Sequence, residues 1–255
     1  DLLTSKEFAL ISAFTPTYNM LANLLSTRSE SEAAELLANS FAQFQWVRNT
    51  RNMNSGLIQE VQFRRNVLEA TGLADGWSLT ETGMPLTKIF NESDLLVTRA
   101  ISDGILDGLP PEELAALVSC FIFRSRGKEK RGKKSRESEN FINESIKELM
   151  LLNDEIERIE VGFGIQPNTP PDPGFAKVVF DWVSGRTLSE VLTKELTGGE
   201  FVRNIRLSVD LLKQISNVAA PETAKLSLRT VELMERGVVS LGGEFESEVL
   251  QEKGL

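Results

Sequence analysis

The stretch SDLLVTRAISDGILDGLPPEELAALVSCFIF, residues 93 to 123, contains two helix patterns separated by a turn. Gly104 ends the first pattern, and two prolines with paired glutamates open the second, which suits the positive end of a helix dipole. The second pattern ends in the apolar run LAALVSCFIF, residues 114 to 123. This run has about half the length that a helix needs to span a bilayer. This stretch therefore predicts two helices of a folded core and no membrane segment.

Helical periodicity continues on both sides of this stretch. Thr15 and Pro16 are predicted as the N-cap and first position of a helix, and Ser29 with Glu32 forms a capping box for the next. That second helix carries an apolar stripe of Ala33, Leu36, Leu37, Phe41 and Phe44. Further helices are predicted over about 56–71, 138–160, 174–184, 187–195 (with a Thr187–Glu190 capping box), 199–219 and 221–236. A core-facing stripe of Ile142, Ile146, Leu149, Leu152, Ile156 and Ile159 is predicted on the helix over 138–160.

Only one short segment shows the alternation of a β-structure. GLADGWSLTETGMPLTKIF, residues 72 to 90, alternates polar and apolar residues around Gly76 and Gly83, which is typical of a two-stranded wing. A helix, a wing and another helix suggest a small winged-helix-like unit. The predicted fold class is therefore mainly α: a helical bundle with a winged-helix-like unit and a two-stranded wing.

The composition limits the chemistry available to the chain. Its 255 residues are 41% hydrophobic and 25% charged, which is typical of globular domains. The absence of histidine excludes a histidine-dependent triad or zinc site within the chain, and a single cysteine excludes an intramolecular disulfide. Without a secretory signal, a reducing, cytoplasmic setting is expected. The first residue is Asp1 rather than Met, which is expected of an excised fragment.

A basic block interrupts a chain whose net charge is −9. Residues 124–136 hold eight Lys and Arg against the single acid Glu129. Gly127, Gly132 and Lys133 match part of a phosphate-binding loop, but Lys134 stands where that loop needs a Ser or Thr hydroxyl for magnesium. We therefore reject an ATP site and predict a flexible, solvated loop. A secondary hypothesis is that it binds RNA phosphates through Lys128, Lys130, Arg131, Lys133 and Lys134.

The helix over 199–219 has the second candidate site. Its polar side, opposite an apolar face, carries Arg203, Arg206, Asp210 and Gln214 at spacings of three and four. Guanidinium groups bind phosphates or stack on bases, while an amide and a carboxylate hydrogen-bond to ribose or base edges. The alternative is a solvated helix face on which Arg206 and Asp210 form an i, i+4 ion pair.

The isolated aromatic residues and the single cysteine are weaker candidates for functional residues. Trp46, Trp77, Trp182 and Tyr18 have the flat rings that stack on bases, but they lie in apolar surroundings and are interpreted as packing residues. Cys120 lies in an apolar run and is predicted to be a buried small hydrophobe.

Ordered segments of the chain resemble the C-terminal region of superkiller-type DExH-box RNA helicases. FTPTYNMLANL at 14–24 and SFAQFQ at 40–45 are similar to the stalk that follows the motor domains. Residues 79–123 resemble the first half of the family's helical DSHCT domain. FDWVSGRTLSEVL at 180–192 and LTGGEFVRNIRLSVDLLKQIS at 196–216 resemble its second half, in an actinobacterial-like form.

This resemblance implies an accessory region rather than a complete enzyme. The Walker A loop, DExH box and arginine-bearing motif of the motor domains are missing, so this chain alone is predicted to be inactive and to hold no cofactor. ATP and Mg would belong to motor domains of the same polypeptide. The implied role is to close the motor ring and contact single-stranded RNA through Arg203, Arg206, Asp210 and Gln214 on the family's ratchet helix, with RNA-decay proteins as further candidate partners.

The resemblance also predicts a domain organisation. It comprises stalk-like helices over 1–50, a winged-helix-like first half of the DSHCT domain over 51–123, the basic loop over 124–138 and a helical second half over 139–255. The family carries a long insertion, the arch, between its stalk helices. Here WVRNTRNMNSG, residues 46–56, joins them, which indicates a reduced or missing arch.

Two alternatives from other functional classes stay open. The first is a free-standing helical module that binds another protein. The second is a winged-helix DNA-binding protein, which requires a basic recognition helix before the wing. The helix over 56–71 offers only Arg64 and Arg65 for that purpose, beside Glu60 and Glu69.

Overall fold

A computed structural model of the 255-residue chain describes residues 15–44, 56–125, 144–192 and 196–240. These residues are mainly helical and include a two-stranded antiparallel sheet, so the predicted fold class is confirmed. The helices are α1 Tyr18–Thr27, α2 Glu30–Ala38, α3 Leu57–Ala70, α4 Asp94–Ser102, α5 Pro111–Ile122, α6 Glu144–Gly162, α7 Ala176–Val183, α8 Leu188–Val191, α9 Gly198–Ser216 and α10 Pro221–Met234. The strands are β1 Ala74–Asp75 and β2 Ser78–Leu79, and 3-10 helices cover Glu81–Lys88 and Pro173–Phe175.

The chain divides into two compact units. Unit 1 comprises Asp1–Thr87 and Ile159–Gln166, and unit 2 comprises Lys88–Arg158 and Pro167–Leu255. The division falls within α6, after Arg158. The domain boundaries predicted from the sequence, and the winged-helix character of the first half, stay predictions.

The first helix of unit 1 begins two residues later than predicted. Thr17, not Thr15, is the N-cap, because its hydroxyl oxygen accepts a hydrogen bond of 3.1 Å from the amide of Met20. That bond satisfies one of the amides that the first turn leaves without a helical partner. Pro16 therefore precedes the helix instead of opening it.

Two predicted capping boxes are confirmed. The Ser29 amide donates to a Glu32 carboxylate oxygen at 2.9 Å, and the Thr187 amide donates to Glu190 at 2.7 Å. The amide and hydroxyl of Ser29 hold the pKa of the Glu32 carboxyl below its ordinary value, and Thr187 does the same for Glu190. The short i, i+3 pattern thus located the starts of α2 and α8 correctly.

The predicted apolar stripe of the second helix is confirmed as buried only at Ala33 and Leu37. Helix α2 ends at Ala38, and Leu36, Phe41 and Phe44 are 51%, 52% and 59% exposed. Ser40 explains the early end, because its hydroxyl donates to the Leu37 carbonyl at 2.7 Å and accepts from the Gln43 amide at 3.2 Å. Such local side-chain bonds compete with helix continuation.

The predicted wing is a hairpin that is shorter than the alternation suggested. Ala74 pairs with Leu79 and Asp75 with Ser78, and Gly76 takes the positive φ of +57° in the turn. The following residues, Glu81–Lys88, form a 3-10 helix instead of a longer strand. Gly83 accounts for the difference: a Cβ there would lie 1.9 Å from the Leu73 carbonyl oxygen, so the chain crosses its own backbone too closely for any larger residue.

Helix α5 forms the centre of unit 2. Its residues Leu114 to Phe121 are all buried, and it packs against α7, α9 and α10. Helix α6 adds part of its predicted stripe, with Ile146, Leu149, Leu152 and Ile156 buried. Ile159 is half-buried, and Ile142 lies outside the described residues. This core supports the helix that carries the candidate site.

Candidate nucleic-acid interface

Helix α9 begins at a third capping box. The Thr197 hydroxyl oxygen accepts from the Glu200 amide at 3.2 Å, and the Thr197 amide donates to the Glu200 carboxylate at 3.2 Å. These reciprocal bonds satisfy two polar groups at the helix start and place an acid near the positive end of its dipole. The cap therefore fixes where α9 starts, and with it the direction of every side chain that follows.

One face of α9 is buried against unit 2. Phe201, Ile205, Leu212 and Ile215 have no exposed surface, and α9 packs on α5 and α10. The Phe201 ring also lies edge-on to Trp182, with ring centroids 5.1 Å apart. This packing anchors α9 along its length, so the side chains on its other face project from a rigid support.

The opposite face of α9 is polar and divides into a centre and two edges. A helix advances about 100° per residue. The centre then comprises Arg203, Asp210 and Asn217, all exposed; one edge comprises Arg206 and Lys213; and the other comprises Leu207 and Gln214. We call these seven residues the α9 outer face. The predicted stripe of Arg203, Arg206, Asp210 and Gln214 thus shares one side of a single helix.

The two arginines of the α9 outer face differ in their surroundings. Arg206 is half-buried and donates to the Val239 carbonyl at 3.3 Å. Arg203 is exposed, and no described residue forms an ion pair or hydrogen bond with its guanidinium. The i, i+4 pair between Arg206 and Asp210, considered as an alternative, is not formed. Within the described ranges, all donors of Arg203 are therefore available, whereas one donor of Arg206 is occupied.

The acid and amide of the α9 outer face bond to each other. Gln214 donates through its side-chain nitrogen to Asp210 at 3.2 Å, and its side-chain oxygen accepts from the Phe90 amide at 2.7 Å. The Gln214 amide is therefore oriented from both ends. Sequence reasoning did not identify Phe90, since no local spacing connects it to a residue 124 positions away.

The five basic residues of the predicted phosphate-binding loop, Lys128, Lys130, Arg131, Lys133 and Lys134, lie outside the described residues. Just before them, Ser125 is held by Asp172, whose carboxylate accepts from the Ser125 amide at 2.9 Å. The loop hypothesis stays a prediction.

The packing roles predicted for two aromatic residues are confirmed. Trp182 is 2% exposed and donates to the Met234 carbonyl at 3.0 Å, and Tyr18 is 3% exposed and donates to Glu160 at 2.7 Å. Trp77 is half-buried and donates to the Arg28 carbonyl at 2.9 Å, while Trp46 lies outside the described residues. Buried rings such as those of Trp182 and Tyr18 cannot stack on a base.

Cys120 is buried as predicted, and burial raises the pKa of its thiol to about 12. Among the described residues, no group of His, Cys, Asp and Glu is placed to hold a metal ion. None of the helices in the described ranges is long and apolar enough to cross a membrane.

Helix α3, the recognition helix of the DNA-binding alternative, has its arginines engaged. Arg64 is 7% exposed, pairs with Glu60 and lies over the Tyr18 ring, with its guanidinium carbon 5.9 Å from the centroid. Arg65 lies 3.4 Å from Glu30 and 3.8 Å from Glu69. Both cations are thus compensated within unit 1, which argues against a phosphate-binding role for α3.

Comparison with known proteins identifies similar sequences over most of the chain. Residues 76–241 match the family model of the DSHCT (NUC185) domain. The probable helicase HelY of Mycobacterium tuberculosis is 29% identical over 225 residues, which cover 84% of this chain and 23% of that protein. The HelY protein of Mycobacterium leprae is 31% identical over 197 residues, 73% of this chain and 21% of that protein.

A mouse protein, exosome RNA helicase MTR4, is 24% identical over 172 residues, which cover 64% of this chain and 16% of that protein. The chain thus spans less than a quarter of the length of the curated relatives described here. The matched family segment includes the whole of α9 and the Phe90 segment.

Proposed function

Because this chain belongs to the DSHCT (NUC185) domain family, we propose that it is the C-terminal accessory region of an ATP-dependent RNA helicase. Its similarity to part of the HelY and MTR4 helicases supports this proposal. In such a protein, motor domains of the same polypeptide bind ATP and Mg. This region closes the ring that the motor domains form around the RNA strand. RNA-decay proteins are further candidate partners of the whole assembly.

We further propose that the α9 outer face contacts single-stranded RNA. The observation that carries this step is Arg203, an exposed guanidinium without a partner among the described residues, on a helix whose other face is anchored in the core. A guanidinium binds phosphate through paired donors. Arg206 keeps free donors beside its bond to Val239, and Asp210 has carboxylate oxygens to accept from base or ribose groups.

In the whole helicase, α9 would hold the strand between power strokes. A rigid helix suits this task, because contacts that track the backbone tolerate any sequence passing along them. The overall charge of −9 repels nucleic acid at long range, so binding depends on local cations such as Arg203 and Arg206.

The test is a titration of the chain against a short fluorescein-labelled single-stranded RNA, followed by anisotropy across salt concentrations. We expect Arg203→Ala to weaken binding at low salt and to reduce the slope of log affinity against log salt by about 0.7, the share of one phosphate contact. Lys225→Ala is the charge-matched control, since Lys225 is on α10 and pairs with Glu222 at 3.0 Å.

Equal losses in Arg203→Ala and Lys225→Ala would contradict a specific role for the α9 outer face. A wild-type chain that does not bind RNA at low salt would favour the free-standing protein-interaction module. Duplex DNA of equal length serves as a second probe, and tighter binding to it than to RNA would restore the winged-helix alternative despite the engaged Arg64 and Arg65.

A further inference from the structure

Phe90 presents its ring to solvent from an anchored backbone. The side chain is 67% exposed, although the preceding Ile89 is fully buried. The Phe90 amide donates to Gln214 at 2.7 Å, and two residues later the Glu92 carbonyl accepts from the Asn168 side chain at 2.9 Å. The segment is therefore fixed on both sides of Phe90, and the exposure of the ring is a property of the folded backbone.

The backbone of Phe90 adjoins the α9 outer face through a polar side chain. It lies beside Gln214, and Gln214 bonds to Asp210 one turn earlier on the α9 outer face. Arg203 lies on the same side of the helix, roughly 16 Å further along the axis at the rise of an α-helix. A flat apolar ring thus lies at one end of a row that also offers a carboxylate and a guanidinium that no described residue binds.

This combination fits single-stranded nucleic acid better than a protein. Proteins that bind single strands combine cations for the backbone with aromatic rings on which bases stack, and stacking tolerates any sequence because every base has a π-face. A protein partner requires a contiguous apolar surface. On the described length of α9, Leu207 is the exposed large apolar residue, two turns before Gln214.

Building on the proposed RNA contact of α9, we propose that Phe90 is a stacking platform for one base of the bound strand. The base would lie against the Phe90 ring, while phosphates of nucleotides further along the strand would approach Arg203 on α9. Gln214 would act as a positioning residue, because its side-chain oxygen holds the Phe90 amide and so fixes where the ring is presented.

The test measures binding of the full 255-residue chain to a short oligoadenylate and to an abasic ribose-phosphate oligomer of equal length. We expect Phe90→Leu, which keeps an apolar side chain but no ring, to weaken oligoadenylate binding about 5-fold or more. Phe90→Tyr should bind like the wild type. The matched control is Leu228→Ala on α10, away from the α9 outer face, where Leu228 is 51% exposed. It should also bind like the wild type, and binding of the abasic oligomer should be the same for every variant.

A direct readout of stacking comes from Phe90→Trp. Its added fluorescence should be quenched by oligoadenylate and unaffected by the abasic oligomer, with the unsubstituted chain as the baseline for the native tryptophans. A change in local structure alone would not produce this difference between the two probes.

The outcomes separate this inference from the proposed function. If the wild type binds RNA and Phe90→Leu binds equally well, the stacking role is wrong and the RNA contact stands. Equal losses on both oligomers would overturn stacking in favour of a structural role for Phe90. Equal losses in Phe90→Leu and Leu228→Ala would indicate a general apolar contact, as for a protein partner. A wild type that binds neither oligomer would refute both proposals.

Discussion

Helices α5 and α9 pack against each other in unit 2 but differ in how much of their surface is exposed to solvent. In α5 the eight consecutive residues from Leu114 to Phe121 are buried. Even its polar side chains are satisfied internally, since the Ser119 hydroxyl donates to the Ala116 carbonyl at 2.7 Å. In α9 only one face is buried, and the other carries Arg203, Asp210 and Gln214.

The difference means that the two helices contribute differently to unit 2: α5 to stability, and α9 both to stability and to recognition. From Leu114 to Phe121, helix α5 has no exposed side chain with which to contact a ligand, so the sequence of that segment reports packing alone. Helix α9 uses its apolar face for the same packing and keeps its outer face for contacts beyond the unit. Substitutions should therefore cost folding energy in α5 and on the inner side of α9, and should change binding alone at Arg203 on the α9 outer face.

The largest expected effect is that of Leu117→Ala in α5. Leu117 has no exposed surface, so truncation leaves a cavity and should lower the free energy of unfolding by about 2–5 kcal/mol. Urea denaturation followed by circular dichroism measures this change.

The matched control for Leu117→Ala is Leu207→Ala, the same substitution on the α9 outer face. Leu207 is 42% exposed, and its loss should change the free energy of unfolding by less than about 0.5 kcal/mol. Similar losses in the two variants would mean that the α9 outer face is as much a part of the core as α5 is.

Part of the local chemistry was predictable from the sequence, although the N-cap of α1 and the end of α2 were not. The boxes at Ser29 and Thr187 depend on residues three apart, and the polar stripe from Arg203 to Gln214 depends on helical spacing alone. In each case the decisive bonds or directions lie within one or a few helical turns. These capping boxes and this stripe could be predicted without knowledge of any tertiary contact.

Features set by distant contacts were not predictable. Gln214 meets Phe90 across 124 positions, and Arg206 turns to Val239 instead of pairing with Asp210 four residues away. The 3-10 helix after the hairpin depends on the close passage of Gly83 over Leu73. Periodicity records which side of an element is apolar, but not which other segment will lie against it.

A smaller effect is expected at the start of α9. Thr197→Ala removes the hydroxyl that accepts from the Glu200 amide, and should lower the free energy of unfolding by about 1 kcal/mol. Thr197→Ser keeps the hydroxyl and is the control. Hydrogen exchange in peptides from the first turns of α9 should rise in Thr197→Ala only; unchanged exchange would show that the buried face alone fixes the helix start.

The smallest expected effect on stability is that of Arg203→Ala, and Arg236 provides the contrast. The Arg236 guanidinium lies 3.6 Å from the centroid of the Trp182 ring and donates to the Trp182 and Arg186 carbonyls, and partial burial lowers its pKa. Losing these charge-assisted bonds in Arg236→Ala should cost about 1.5–3 kcal/mol of unfolding free energy. Arg203 makes no such contacts with described residues, so Arg203→Ala should stay within about 0.5 kcal/mol of the wild type in urea denaturation while its RNA affinity falls. A loss of stability in Arg203→Ala comparable to that in Arg236→Ala would contradict this prediction. It would show that Arg203 stabilises the fold, because the exposed guanidinium would then have a structural partner.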